Sequence, residues 1–282
     1  MRVLFSAVVV VVGLGACGPT DKTPVPPPEA WALRWADEFD GAAGSSPDPT
    51  KWVLETGRGP NNDGWGNNEL QTYTARPENV SLDGEGHLVI TAQREAFEGQ
   101  PYTSARITTQ GLFSQRYGRF EARVRTPAGK GLWPAFWMLG ANIKEVTWPL
   151  CGEIDILELR GNQPGAVISS LHGPEYSGGG AISKRYALES GTFDADFHVF
   201  RVDWDPAVIS FFVDDRLFQS VSARTVLGGG RSWVFDTPFF LILNVAVGGS
   251  FLTPTGQPDQ NTVFPQRMTV DWVRAYSRVT AP

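Results

Sequence analysis

Gly152-Glu153-Ile154-Asp155-Ile156-Leu157-Glu158-Leu159-Arg160 is the stretch whose reading decides the fold. β-Branched Ile154 and Ile156 alternate with carboxylates, the pattern of a β-strand. Alternation puts Glu153 and Asp155 on one face and both isoleucines on the other. Glu158 lies five residues beyond Glu153, so an ideal strand would drive it into the isoleucine layer. An unpaired carboxylate there is costly unless it is neutralised. One extra residue removes the conflict. A β-bulge at Leu157 returns Glu158 to the acidic face and Leu159 to the apolar one. The three acids then form a row, with neighbours roughly 6.6 Å apart along the strand.

Outward from this stretch, strand follows strand from Trp31 onward. Asn79–Leu82 and His87–Ala92 flank Asp83-Gly84-Glu85-Gly86 as a hairpin. Arg119–Arg125 alternates, with Phe120, Ala122 and Val124 inward, and Val199–Trp204 does likewise. Ile209–Val213, Asp214-Asp215 and Arg216–Phe218 form a second hairpin. Phe239–Val247 is nearly continuous apolar sequence, a fully buried strand, and Met268–Tyr276 closes the domain. Only short turns, around Asn142–Val146 and Ala223–Leu227, interrupt. Many short strands with Gly/Pro turns predict an all-β, two-sheet sandwich in one domain, without repeats.

Two carboxylates facing one glycosidic bond are the machinery of a glycosidase. In the retaining kind one attacks the anomeric carbon while the other protonates the leaving oxygen, and a row on a single strand suits retention. A solvated strand face or a calcium site would use the same three acids. The surroundings favour catalysis: Trp148-Pro149 and Trp133-Pro134-Ala135-Phe136-Trp137-Met138-Leu139 supply the aromatic faces that a sugar-binding groove needs. Phe136 and Met138 alternate with Trp137 and point to the core.

Trp148-Pro149 followed by Gly152–Glu158 resembles the active-site signature of glycoside hydrolase family 16, in its bulged, laminarinase-type form. Trp35–Phe39, Gly64–Thr74, Ser104–Ile107, Tyr117–Arg123, Phe197-His198 to Asp205 and Asn244–Gly249 resemble further family stretches in the same order, over residues 31 to 278. The resemblance implies a β-jelly roll whose concave face carries the cleft. It implies Glu153 as nucleophile, Glu158 as acid/base and Asp155 between them, sharing a proton with Glu153. Asn68, Arg106, Trp133, Trp137, Trp148 and His172 are then expected at the substrate, and Asp271 at a structural calcium. No cofactor is expected for catalysis. The implied activity is retaining, endo-acting cleavage of β-1,3-glucan such as laminarin. Alternatives within the mechanism are mixed-linkage glucan, agarose or transglycosylation. Outside it lies a surface glycan-binding lipoprotein without activity.

The chain has 282 residues, a formal net charge of −6 and no Lys/Arg run. That argues against nucleic acid as a partner; a monomer bound to polysaccharide or oligosaccharide is expected. Arg2 and the apolar Val8–Leu14 mark residues 1–16 as a signal peptide, too short to span a bilayer. Leu14-Gly15-Ala16-Cys17 resembles a bacterial lipobox, which makes Cys17 the lipidation site. Residues 17–30 then form a proline-rich tether, and 31–282 the hydrolase domain, exported to the cell envelope and held by lipid to a membrane. Cys151 is left without a disulfide partner and is expected to pack as a small buried side chain.

Overall fold

The computed structural model describes residues 30–279. Cys17, the signal segment and the tether up to residue 29 lie outside them; Ala30 opens the first strand.

Two sheets face each other. The main path of the ten-stranded sheet runs through β15 (Arg216–Ser222), β14 (Val208–Val213), β13 (His198–Trp204), β8 (Gly118–Arg125) and β17 (Gln266–Val279). It continues through β5 (Leu88–Phe97), β6 (Gln100–Ser104) and β3 (Gln71–Tyr73), while β1 (Ala30–Asp37) pairs with β17 and β4 (Val80–Leu82) with β5. The seven-stranded sheet runs β12 (Ile182–Ala187), β11 (Ala166–His172), β10 (Glu153–Leu159), β9 (Leu132–Gly140) and β16 (Phe239–Val247), then β7 (Arg106–Thr108) and β2 (Val53–Glu55). Short helices α1 (Ile143–Val146) and α2 (Ala223–Gly228) occupy the two expected interruptions. The architecture is the all-β jelly-roll sandwich expected. Both hairpins form, and Asp214 and Asp215 take positive φ in the second one, as a tight two-residue connection requires.

Alternation explains the core. Phe120, Ala122 and Val124 of β8 are buried in one cluster with Phe136 and Met138 of β9, Ile154 and Leu159 of β10, and Leu241, Leu243 and Val245 of β16. Each large apolar side chain so enclosed contributes about 1.5–3 kcal/mol. Every residue of β16 is buried, as its apolar run predicts. On its far side Phe240 and Ile242 join Leu139 and Cys151 in a smaller cluster under Trp137, Ile143 and Val146. Cys151 is thus the buried small side chain expected.

β10 carries the bulge. Against β9, Asp155 pairs with Trp137 and Leu157 with Phe136, which leaves Ile156 as the extra residue. Against β11, Asp155 pairs with Ser170 and Glu158 with Ile168. The extra residue on the β9 side is therefore Ile156, one position before Leu157, because both isoleucine and leucine find room in the core. Beyond it the acidic face resumes. One cross-strand row then runs Glu55, Arg106, Asn244, Ala135, Glu158, Ile168, Arg185 over the open face of the sheet. The adjoining rows bring Trp137, Asp155 and Ser170 together, then Leu139, Glu153 and His172.

Candidate active site

Glu153, Asp155 and Glu158 line this face, with Asp155 the deepest of the three. The Glu153 side chain keeps 18% of its surface exposed, whereas Asp155 and Glu158 are buried. Gly152 precedes them with φ of +77°, and a Cβ there would stand 2.9 Å from the Phe239 ring. Only glycine fits both demands, and it aims Glu153 into the groove.

Each of the two glutamates has its own indole partner. Trp148 Nε1 donates to Glu153 Oε2 at 2.8 Å, and Trp133 Nε1 donates to Glu158 Oε1 at 3.1 Å. Trp148 is exposed beside the groove. Trp133 stacks on Phe251, with ring centroids 4.8 Å apart, and the Arg160 guanidinium covers the Phe251 ring. His172 Nδ1 accepts from the Gly178 backbone N–H at 3.1 Å, so the ring proton belongs on Nε2. Nε2 lies 3.0 Å from Asp155 Oδ2 and 3.7 Å from Glu153 Oε1. The contact to Asp155 is close but poorly aligned, and Oδ2 receives no formed hydrogen bond.

Burial governs the ionisation of all three acids. It is the main reason that Glu153 is pushed up to about 8, with the Asp155 charge next. Burial likewise pushes Glu158 up to about 7, with His172 pulling the other way and Glu153 adding to the rise. Asp155 is raised well above the usual carboxylate range by burial and by Glu158. The nucleophile's role needs Glu153 charged and the acid's role needs Glu158 protonated, yet Glu153 is the higher of the two. The set shares its protons and titrates as a unit. The donated indole bond and the nearby imidazole favour Glu153 as the anion. Glu153, Asp155 and His172 also offer three ligand atoms within 4.8 Å of one another, enough to hold a metal ion.

The other expected residues fall on two sites. Trp137 and Arg106 meet further along the groove. Arg106 Nε donates to Glu55 Oε2 at 2.5 Å, and the guanidinium lies 4.2 Å from the centre of the Trp65 ring and 4.9 Å from that of Trp137. Asn68 stands nearby with φ of +58°, its amide donating to Ser250 Oγ at 3.1 Å. Asp271 lies on the opposite sheet, where Arg123 Nη1 donates to its Oδ2 at 2.5 Å. The expectation of calcium there meets a carboxylate already paired with a guanidinium. A second group able to hold a metal, Asp83, Glu85 and His87, sits in the first hairpin, where Asp83 Oδ1 accepts the N–H groups of Glu85 and His87.

Sequence reasoning gave no role to Glu69, Tyr73, Asn244, Trp65 or Phe251. Glu69 Oε2 accepts from Gln71 Nε2 at 2.6 Å and from the Tyr73 hydroxyl at 3.1 Å. Tyr73 Oη accepts from Asn244 Nδ2 at 3.0 Å, and Asn244 Oδ1 accepts from Trp137 Nε1 at 2.7 Å. A signal existed in the alternation of Glu69, Gln71 and Tyr73, which puts three polar groups on one face of a strand.

Residues 67–274 match the family model "Glycosyl hydrolases family 16". A beta-glucanase of Rhodothermus marinus is 40% identical over 275 residues, covering 95% of this chain and 91% of that protein. Among solved structures, the laminarinase catalytic domain of Thermotoga maritima is 46% identical, with a TM-score of 0.82 over 89% of this chain and 99% of that one. The endo-β-1,3-glucanase of Pyrococcus furiosus is 43% identical, with a TM-score of 0.84 over 90% of this chain and 97% of that one.

Proposed function

Since the chain belongs to family 16 of the glycosyl hydrolases, and so is a glycoside hydrolase, we propose that it is a retaining, endo-acting enzyme on β-1,3-glucan. The observation that carries this reading is the bulge in β10. It returns Glu158 to the face of Glu153 and Asp155, so that two carboxylates approach one bond from the same strand.

In this reading Glu153 attacks the anomeric carbon while Glu158 delivers its proton to the departing oxygen. Forming the glycosyl ester removes the Glu153 charge, which is one of the influences that raise Glu158. Glu158 becomes more acidic at that moment and serves as base for the incoming water. Asp155 and His172 hold Glu153 between them through the first step. Trp148, Trp137 and Arg106 contact the sugar rings, and the aromatic and acidic character of the motif region suits a neutral glucan better than a sulfated one. One copy carries the complete acid row, so a monomer suffices. Export and anchoring through Cys17 belong to the same reading, and a Cys17→Ser chain is expected to lose its membrane partition.

Product analysis tests the substrate and the stereochemistry together. Laminarin, mixed-linkage glucan and agarose are offered separately, and the anomer first released is read by proton NMR. Short β-1,3 oligosaccharides accumulating early as the β-anomer are expected. Cleavage of agarose alone would replace the substrate, an α-anomer would replace the mechanism, and binding without any product would leave a glycan-binding protein.

A further inference from the structure

Glu69 is a buried carboxylate that the chemistry of bond cleavage does not use. Burial raises it above the usual range, while three side-chain donors and the Arg106 charge pull it back. Asn67 Nδ2 approaches Oε1 at 3.4 Å, and Gln71 Nε2 and Tyr73 Oη approach Oε2. All three partners donate, as an acceptor-only carboxylate requires.

This end point fixes the direction of a longer chain. Because Tyr73 gives its only proton to Glu69, its oxygen must accept from Asn244. The Asn244 amide is thereby oriented, nitrogen toward Tyr73 and oxygen toward Trp137, and that oxygen takes the indole N–H. Four residues from β3, β9, β16 and the segment before β3 are therefore linked with one polarity. Trp137 is the last of them, and its ring faces the Arg106 guanidinium. Arg106 is clasped by Trp65 on another side and by Glu55 through Nε. Trp137 is also the cross-strand partner of Asp155. A tilt of this indole would thus disturb the sugar platform directly beside the acid row.

We infer that Glu69 is a positioning residue, anchoring a one-way hydrogen-bond chain through Tyr73 and Asn244 that holds Trp137 and Arg106 as a rigid platform for the sugar rings. This rests on the reading that Trp137 and Arg106 touch glucan. The chain orders the platform before substrate arrives, so the ordering entropy is not charged to binding.

The test uses the full chain with Tyr73→Phe, Glu69→Leu and Glu69→Gln, a β-1,3-linked glucohexaose as probe, and three readouts: hexaose affinity, near-UV circular dichroism of the indoles, and kinetics. Tyr73→Phe cuts the chain while keeping the ring, and is expected to raise KM about tenfold with kcat on an activated aryl glycoside within about twofold. Its indole dichroism should change. Glu69→Leu should do the same, and Glu69→Gln, which keeps an acceptor oxygen for Gln71 and Tyr73, should restore affinity to within about threefold of the unaltered chain. Unchanged hexaose affinity and indole dichroism in Tyr73→Phe would overturn the chain of bonds alone. An unaltered chain that neither binds nor cleaves the hexaose would overturn the glucan reading, and this inference with it.

Discussion

Asp155 and Glu69 are two buried carboxylates on one side of the molecule, and they are treated in opposite ways. Glu69 is met by three donors and balances the Arg106 charge. Asp155 is flanked by two further acids, its side-chain hydrogen bond is to one of them, Glu153, and the imidazole 3.0 Å from its Oδ2 forms none. Burial raises both. At Glu69 three side-chain hydrogen bonds and the Arg106 charge work against that rise, while at Asp155 the Glu158 charge adds to it and the bond to Glu153 alone opposes it. A carboxylate that holds a structure in place is surrounded by donors, and one that moves protons is kept short of them.

The sharpest way to break this comparison is to remove a member of the underserved group. Glu153→Gln should lower turnover by more than about 10⁴-fold while glucan binding persists; retained turnover would remove Glu153 from its role. Glu158→Ala should lose about 10²–10⁴-fold on natural glucan and recover in part on a substrate with an activated leaving group. The absence of any recovery in steady-state rates would take Glu158 out of the acid role. Glu69→Leu tests the satisfied side. It should cost about 1–3 kcal/mol in denaturant unfolding, since Gln71 and Tyr73 lose their acceptor. No loss would mean that the carboxylate is as poorly served as Asp155.

The smallest effect is a slope. Glu153 rises from 4.5 to about 8 and Glu158 from 4.5 to about 7 on folding, so the native chain binds protons more tightly than the unfolded one. The stability this provides is complete below about pH 4.5 and is lost as pH rises through 7 and 8. Thermal unfolding midpoints should therefore fall over that window. Glu153→Gln, which cannot ionise, should flatten the fall. A slope unchanged by the substitution would show that other groups set it.

How much of this was legible in the sequence differs between the two regions. The acid row could be read because one strand carries it, and the apolar–acidic conflict at Glu158 demanded a bulge. Trp133 and Trp148 were placed in the groove by proximity in sequence, and Phe136 and Met138 went to the core by alternation. The Glu69 chain is spread over three strands and the segment before β3, with Asn244 171 positions after Tyr73, and no local period connects them. Asn68 was drawn from its motif, yet its amide is engaged with Ser250; a side chain's neighbours across such a span are settled by packing. The bulge itself was displaced by one residue on the β9 side, since Ile156 and Leu157 are equally apolar and either could be the surplus.

That surplus residue gives β10 a parity. Every other position of a regular strand must keep its count odd or even, because losing one residue exchanges the two faces of everything downstream. Between Asp155 and Glu158 the count is already off by one and the backbone has absorbed it. Deleting Leu157 would restore plain alternation and still leave all three acids on the groove side. Deleting Ile154 would bring Asp155 directly after Glu153 and turn it toward the core. Single-residue length changes should therefore be survivable at one point of this strand and ruinous a few ångströms away.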